Sequence, residues 1–287
     1  MAKITVHNSY FNTKPVVFHH HGRPSLAANN EYGGYGFKGD IFKLLSDEPG
    51  INAPMFRSRK ENRRYFQPPA SKIRNPINDK LKVYMVSNLG PGSTAYCMDH
   101  FGIHYEVLGQ DLEQYSHWAK YELFLDVIQS ITHEYTMLID TDDIFFINDL
   151  SHLVDTYAGV MGCDMLHNAE GWYAPKGQPP GFREFEDSVA PLNSPYKYLN
   201  GGLWIAKTEF LQGSFYEELK KVDPWNKNDQ AVYHTLYPKF YPQVKIDSKC
   251  QYFQSTSWSH WLQANYPEAN HVYIEGSTIT CKSGVAS

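Results

Sequence analysis

Apolar residues recur along this chain with two periods, and the changes between them outline the fold. Lys82-Val83-Tyr84-Met85-Val86-Ser87 is a continuous strand-forming run that ends in the turn Gly90-Pro91-Gly92, and His104-Tyr105-Glu106-Val107-Leu108 is a second such run. Between Ser116 and Ile131 the period lengthens: Tyr121, Phe124, Leu125, Ile128 and Ile131 fall at helical spacing, with Ser116 placed as an N-cap. Two short apolar runs follow, Tyr135–Ile139 and residues 144–147, split by Asp140-Thr141-Asp142-Asp143. The pattern predicts strand, strand, helix and then a strand that ends in an acidic turn.

Further along, Asn148 is placed to cap a short helix running through Tyr157, and residues 163–166 predict a strand. Residues 169–195 are rich in Gly, Pro and aromatics without a sustained period, which predicts a long loop over a site. Residues 198–206 predict another strand, and 209–222 and 229–236 two helical stretches. Near the N-terminus one strand, Pro15-Val16-Val17-Phe18, runs into His19-His20-His21-Gly22. Strands alternating with helices predict an α/β sandwich. Residues 1–76 add one strand and a basic loop to a core spanning 77–287, the two together making one domain.

Composition narrows the function classes. A 287-residue chain with 42% hydrophobic residues can bury a full core, and a net charge of -5 argues against a nucleic-acid binder acting through its whole surface. Cys97, Cys163, Cys250 and Cys281 lack paired spacing, so neither a zinc site nor a disulfide framework is indicated. No apolar leader and no membrane-length stretch is present, which places the expected protein in a reducing, cytoplasmic compartment.

Carboxylates released at the end of a buried strand can hold a divalent cation against a phosphorylated ligand, so the acidic turn is the first candidate site. A plain Asp-x-Asp spacing uses Asp140 and Asp142; the wider spacing uses Asp140 and Asp143. A solvated acidic turn would look the same. Lys120 lies close to the apolar stripe of its helix, where it can neutralise a diphosphate or snorkel. Asn200-Gly201-Gly202 permits close backbone approach to a sugar, or forms a β-bulge. Asp229 starts a helix, where it serves an acceptor hydroxyl as orienter or base, or caps the helix.

Five strings taken in order resemble the glycosyltransferase domain of the procollagen lysyl hydroxylase family. They are Trp118-Ala119-Lys120-Tyr121-Glu122, Leu138-Ile139-Asp140-Thr141-Asp142-Asp143, Tyr198-Leu199-Asn200-Gly201-Gly202, Asn228-Asp229-Gln230-Ala231-Val232-Tyr233, and Ile246-Asp247 with Tyr252-Phe253-Gln254. The resemblance covers roughly residues 80–255. It implies a GT-A fold, with a Rossmann-like nucleotide half and an acceptor half around one mixed sheet flanked by helices. It also implies Mn²⁺, or Mg²⁺, bridging the protein to a UDP-sugar.

On that resemblance Asp140 and Asp143 take the places of the family's acidic ligands, while Asp142 stands where the family has tyrosine; Thr141 and Asp142 border the donor. The family's third ligand is a histidine in a terminal His-x-x-Gly turn, and the tail after Gln254 has no matching string. Residues 15–22 match it, which implies a circular permutation. His19 then becomes a metal ligand, with His21 and Gly22 contacting the diphosphate. Lys120, Asn200, Gly201 and Gly202 fall on the donor; Glu170 and Asp229 take catalytic places, with Gln230 and Trp172 beside the acceptor.

Outside the resemblance, Arg57, Arg59, Lys60, Arg63, Arg64, Lys72 and Arg74 interleave with Phe56, Tyr65 and Phe66. Such a patch in residues 57–74 can bind a phosphate backbone and stack on bases, or form a solvated face. Two acceptors therefore stand: a hydroxymethylated base in DNA, as for viral base-modifying glycosyltransferases, with Arg63 and Arg64 on the acceptor, or a hydroxyl of hydroxylysine or a glycan. A sugar-nucleotide-binding module without turnover is the non-enzymatic alternative.

Overall fold

The computed structural model describes residues 5–19, 78–92, 94–141, 143–171, 179–224, 227–255, 272–274 and 280–281. In chain order the elements are β1 (Val6–Asn8), β2 (Val17–His19), β3 (Leu81–Val86), α1 (Thr94–Phe101), β4 (Tyr105–Leu108), α2 (His117–Val127), β5 (Tyr135–Ile139) and β6 (Ile144–Phe146). Then follow α3 (Ser151–Met161), β7 (Met165–Glu170), α4 (Phe182–Val189), β8 (Tyr198–Lys207), α5 (Asp229–Phe240), β9 (Val244–Ile246), β10 (Phe253–Ser255), β11 (Val272–Ile274) and β12 (Thr280–Cys281). Short helical turns between Thr208 and Leu219 link β8 to α5.

Six strands form a mixed sheet in the order β4-β3-β5-β8-β7-β9. β3 is parallel to β4 and β5, β8 is antiparallel to β5 and β7, and β9 is parallel to β7. The central strands are buried on both faces, which is why their sequences read as unbroken apolar runs. Alternation sorts them: Met137, Ile139, Leu203 and Ile205 join the core under α1 and α3, while Leu138, Trp204 and Ala206 join the core under α2 and α5. Phe124 meets Trp204 edge-on with centroids 5.3 Å apart; truncating either to Ala costs about 3–5 kcal/mol. The α/β class with a mixed sheet flanked by helices is the one the sequence predicts.

A second sheet decides where His19 goes. β2 lies between β10, parallel to it, and β6, antiparallel to it. Phe18 stacks on Phe145 with centroids 5.0 Å apart, and Val17 and Phe18 are fully buried. The N-terminal strand is thereby pinned beside the strand that follows the acidic turn. The third sheet, β1-β11-β12, is antiparallel.

Three local expectations change. A helix, α1, lies between the first two strands, where Ala95, Cys97 and Met98 pack into the core. The loop expected over 169–195 begins inside β7 and contains α4, whose Phe182 and Glu186 are buried. Eight residues are too few to show a sustained period. Asn148 does not cap α3: its side chain takes the Asp149 N–H, and Asp149 Oδ1 takes the Ser151 N–H.

Candidate functional site

β5 delivers the acidic turn. Its last residues are buried in the sheet, and the Asp140 N–H donates to Gly202 O at 2.7 Å, tying the turn to β8. The Asp143 N–H donates to Thr141 O at 3.0 Å, so the chain folds back at once into β6. Asp140, Asp143 and His19, which ends β2, bring one ligand atom each to within 4.8 Å of one another. His19 Nε2 lies 3.7 Å from Asp143 Oδ2. Two carboxylates with one imidazole suit a hard to borderline divalent ion, with manganese a better match than an all-oxygen magnesium site.

Gly202 keeps that space open. A Cβ there would lie 2.3 Å from Asp140 Oδ2 and 2.8 Å from His19 Cε1. Opposite residues 200–203 the β7–β8 register shifts between His167 and Ala169, so the segment is both a bulge and a close approach. Gly201 serves another neighbour: a Cβ there would come within 3.0 Å of the Gln230 backbone, where α5 begins.

Lys120 sits between the carboxylates. Ser116 caps α2 by accepting the Ala119 N–H at 2.9 Å, and the helix turns Lys120 inward until it is 1% exposed. Its Nζ is 2.7 Å from Asp140 Oδ1 and 2.5 Å from Asp229 Oδ2. Burial acts to lower the lysine pKa, but Asp140 and then Asp229 outweigh it and hold it well above the ordinary value. Burial likewise pushes Asp140 up, while Lys120 and then His19 bring it below the usual carboxylate range. Asp229 does not cap α5. Asn228 does, accepting the Gln230 N–H at 2.9 Å, and this leaves Asp229 for Lys120. The exposed His117 places Nδ1 3.8 Å from Asp229 Oδ1.

Across the glycine pair lies a network of carboxyls, amides and imidazoles. Glu170, at the end of β7, accepts from Asn200 Nδ2 at 3.2 Å and from Gln230 Nε2 at 3.1 Å. Burial lifts its pKa from 4.5 to about 8, against those two hydrogen bonds, which favour the carboxylate. Gln230 Oε1 accepts the Gly201 N–H at 3.2 Å, and Gln230 Nε2 lies 3.4 Å from His234 Nε2. His234 Nδ1 in turn lies 3.0 Å from Glu186 Oε1, which also accepts the Leu199 N–H at 3.1 Å. The Asn200 Oδ1 holds the Gly202 N–H at 2.9 Å, and the Asn200 carbonyl faces His167 Nδ1 at 3.1 Å. Burial lowers His167 to about 3, so its ring is neutral and Nδ1–H donates.

The structure therefore gathers His19, Asp140, Asp143, Lys120, Gly202 and Asp229 on one side, and Glu170, Asn200, Gly201 and Gln230 on the other. Thr141 is half-buried in the turn between Asp140 and Asp143. Asp142, His21, Gly22, Trp172, Arg63, Arg64 and the whole stretch 57–74 lie outside the described residues. Sequence reasoning missed Asn168, Glu186 and His234, buried polar residues inside apolar neighbourhoods, and Tyr115. Tyr115 faces Lys120, Asp140, Asp229 and Asp143, and burial raises its phenol pKa above the ordinary value. A polar residue amid a buried strand or helix was the only signal for Asn168 and His234, and Glu186 carried none.

No protein-family model matches the chain, and no curated protein does. Solved structures do. A WbbM bifunctional glycosyltransferase in its apo form aligns at 15% identity and TM-score 0.35, over 61% of this chain and 40% of that one. A glycosyltransferase involved in glycosylation of the major capsid of PBCV-1 aligns at 13% identity and TM-score 0.37, over 58% and 82%. Apo mouse xyloside xylosyltransferase 1 aligns at 13% identity and TM-score 0.34, over 68% and 81%. Among the described residues no helix is long and apolar enough to cross a membrane.

Proposed function

We propose that the chain is a divalent-metal-dependent glycosyltransferase of GT-A type that moves a sugar from a nucleotide donor, UDP-linked, to a hydroxyl acceptor. The observation that carries this is the His19, Asp140 and Asp143 cluster beside a buried Lys120 at the end of a sheet strand. The three residues would hold Mn²⁺ or Mg²⁺, and Gly202 leaves the room they need. When bound, such an ion stabilises the negative charge that a departing diphosphate gathers. Lys120 adds a fixed positive charge on the same side.

Glu170 is suited to the acceptor. A base works best with a pKa near the operating pH, and burial brings this carboxyl there. Asn200 and Gln230 fix both of its oxygens, so one orientation is presented. Asp229, held by Lys120, orients the acceptor hydroxyl from the other side.

The seat of β2 between β6 and β10 supports the permuted relationship to the lysyl hydroxylase glycosyltransferase domains, since the strand that ends on His19 comes from the front of the chain. A hydroxymethylated DNA base as acceptor, slightly favoured over a protein or glycan hydroxyl, rests on the sequence of 57–74 and the lack of an apolar leader, and electrophoretic binding to duplex DNA at low salt checks it. A thermal-shift screen of nucleotide sugars with and without Mn²⁺ tests the central proposal, because a specific donor stabilises the folded chain by mass action. Cation-dependent stabilisation by one nucleotide class is expected. No response to any donor, with intact folding, would overturn it, and stabilisation without donor hydrolysis would instead favour a binding module.

A further inference from the structure

Asn168 is a fully enclosed polar side chain beside a candidate cation ligand, His19. It lies in β7 at the register shift and is fully buried. Its Nδ2 is 3.2 Å from His19 Nδ1, and among the described residues its Oδ1 has no hydrogen-bond partner. Leaving a buried amide oxygen unsatisfied costs about 1–3 kcal/mol. Leucine would fill that space without the cost, so the amide is held for what it does beside His19.

The two nitrogens of His19 face different neighbours. Nδ1 faces Asn168, and Nε2 faces Asp143 Oδ2 at 3.7 Å. An imidazole offers a lone pair to a cation through Nε2 only when its proton sits on Nδ1, and that Nδ1–H then needs an acceptor. As Asn168 stands, its NH₂ donates to Nδ1, which places the ring proton on Nε2, toward Asp143. A half-turn of the amide exchanges nitrogen for oxygen and lets Oδ1 accept from Nδ1–H. The proton is relocated from Nε2 to Nδ1, nothing is gained or lost by the ring, and Nε2 is opened toward Asp140 and Asp143.

We propose that Asn168 is a positioning residue whose amide half-turn selects the His19 tautomer that binds the cation. The proposal rests on the metal site described under Proposed function, and the two can fail separately. Mn²⁺ binding to the full chain, read by the loss of the free-ion electron paramagnetic resonance signal, should weaken about 10- to 100-fold in Asn168→Leu. Asn168→Asp, whose two oxygens both accept, should bind at least as well as the wild type. Wild-type binding by Asn168→Leu, or equal weakening in both variants, overturns the proposal while His19→Ala still loses binding. If His19→Ala binds as the wild type does, the metal site itself falls and takes the proposal with it. Should Asn168→Leu fail to fold, nitrogen NMR of the wild-type histidines decides: addition of diamagnetic Mg²⁺ should move the His19 proton from Nε2 to Nδ1, and an unchanged tautomer overturns the idea.

Discussion

On one side of Gly201-Gly202, Asp140 and Asp229 share the ammonium of Lys120; on the other, Glu170 meets only amides. All three carboxyls are largely withdrawn from water, yet the pKa of Asp140 falls below its usual range and that of Glu170 rises to about 8. The difference is the counter-charge. Burial alone disfavours an ionised carboxyl, whereas a cation in contact reverses the outcome. One cleft thus sets a cation-paired half beside a half whose carboxyl titrates near neutrality, built from the same residue types.

The charged half should be the more fragile. Asp140→Asn is expected to lower cation-dependent donor turnover by about 10²- to 10³-fold, the scale of a lost charge-stabilising contact. It should also cost about 3 kcal/mol in urea denaturation, because Lys120 keeps only one of its two partners. Undiminished turnover would remove the cation from the comparison. Gly202→Ala probes the same half by shape alone: the added methyl meets Asp140 and His19, so the Mn²⁺-induced rise in Tm should vanish while the sheet persists at a cost of about 1–3 kcal/mol.

The titrating half makes a prediction in pH. The folded pKa of Glu170 lies above its unfolded value, so between about 4.5 and 8 the folded chain holds the extra proton and this group's contribution to stability falls as pH rises. Glu170→Gln, a mimic of the protonated form, should flatten that decline by on the order of 1–4 kcal/mol between pH 5 and 9. Melting curves of the two proteins at both pH values check it, and parallel curves would place the Glu170 carboxyl outside the comparison. The smallest effect is expected where the halves meet: Asn228→Ala removes the cap of α5 and should cost about 1 kcal/mol in a thermal melt.

The central strands were legible because burial on both faces leaves uninterrupted apolar runs, and α2 because Ser116 and a helical period announce it. Asp140 and Lys120 could be singled out for the same reason: each is a charged residue at an apolar boundary. What could not be read was tertiary pairing. Nothing local separates Glu186 from an exposed helical glutamate; its burial follows from α4 docking on α5, where His234 meets it. Asn148 looked like a cap because its residue type is right, but Asp149 is one position closer to the helix start. Whether Asp229 caps or pairs was likewise decided by a neighbour, Asn228, taking the cap.

Under the proposed function, the shared lysine also implies an order of arrival. Asp140, Asp143 and Asp229 set three formal negative charges against the one ammonium of Lys120, so these four side chains alone carry an excess of two. A diphosphate approaching it brings more of the same sign, and in a partly buried cleft such repulsion is weakly screened. Under the proposed function, a divalent ion held by His19, Asp140 and Asp143 would cancel that excess and let the donor in. Cation before donor is therefore the expected sequence, and calorimetric titration of a nucleotide sugar into chelator-treated protein should show no binding until the ion is restored.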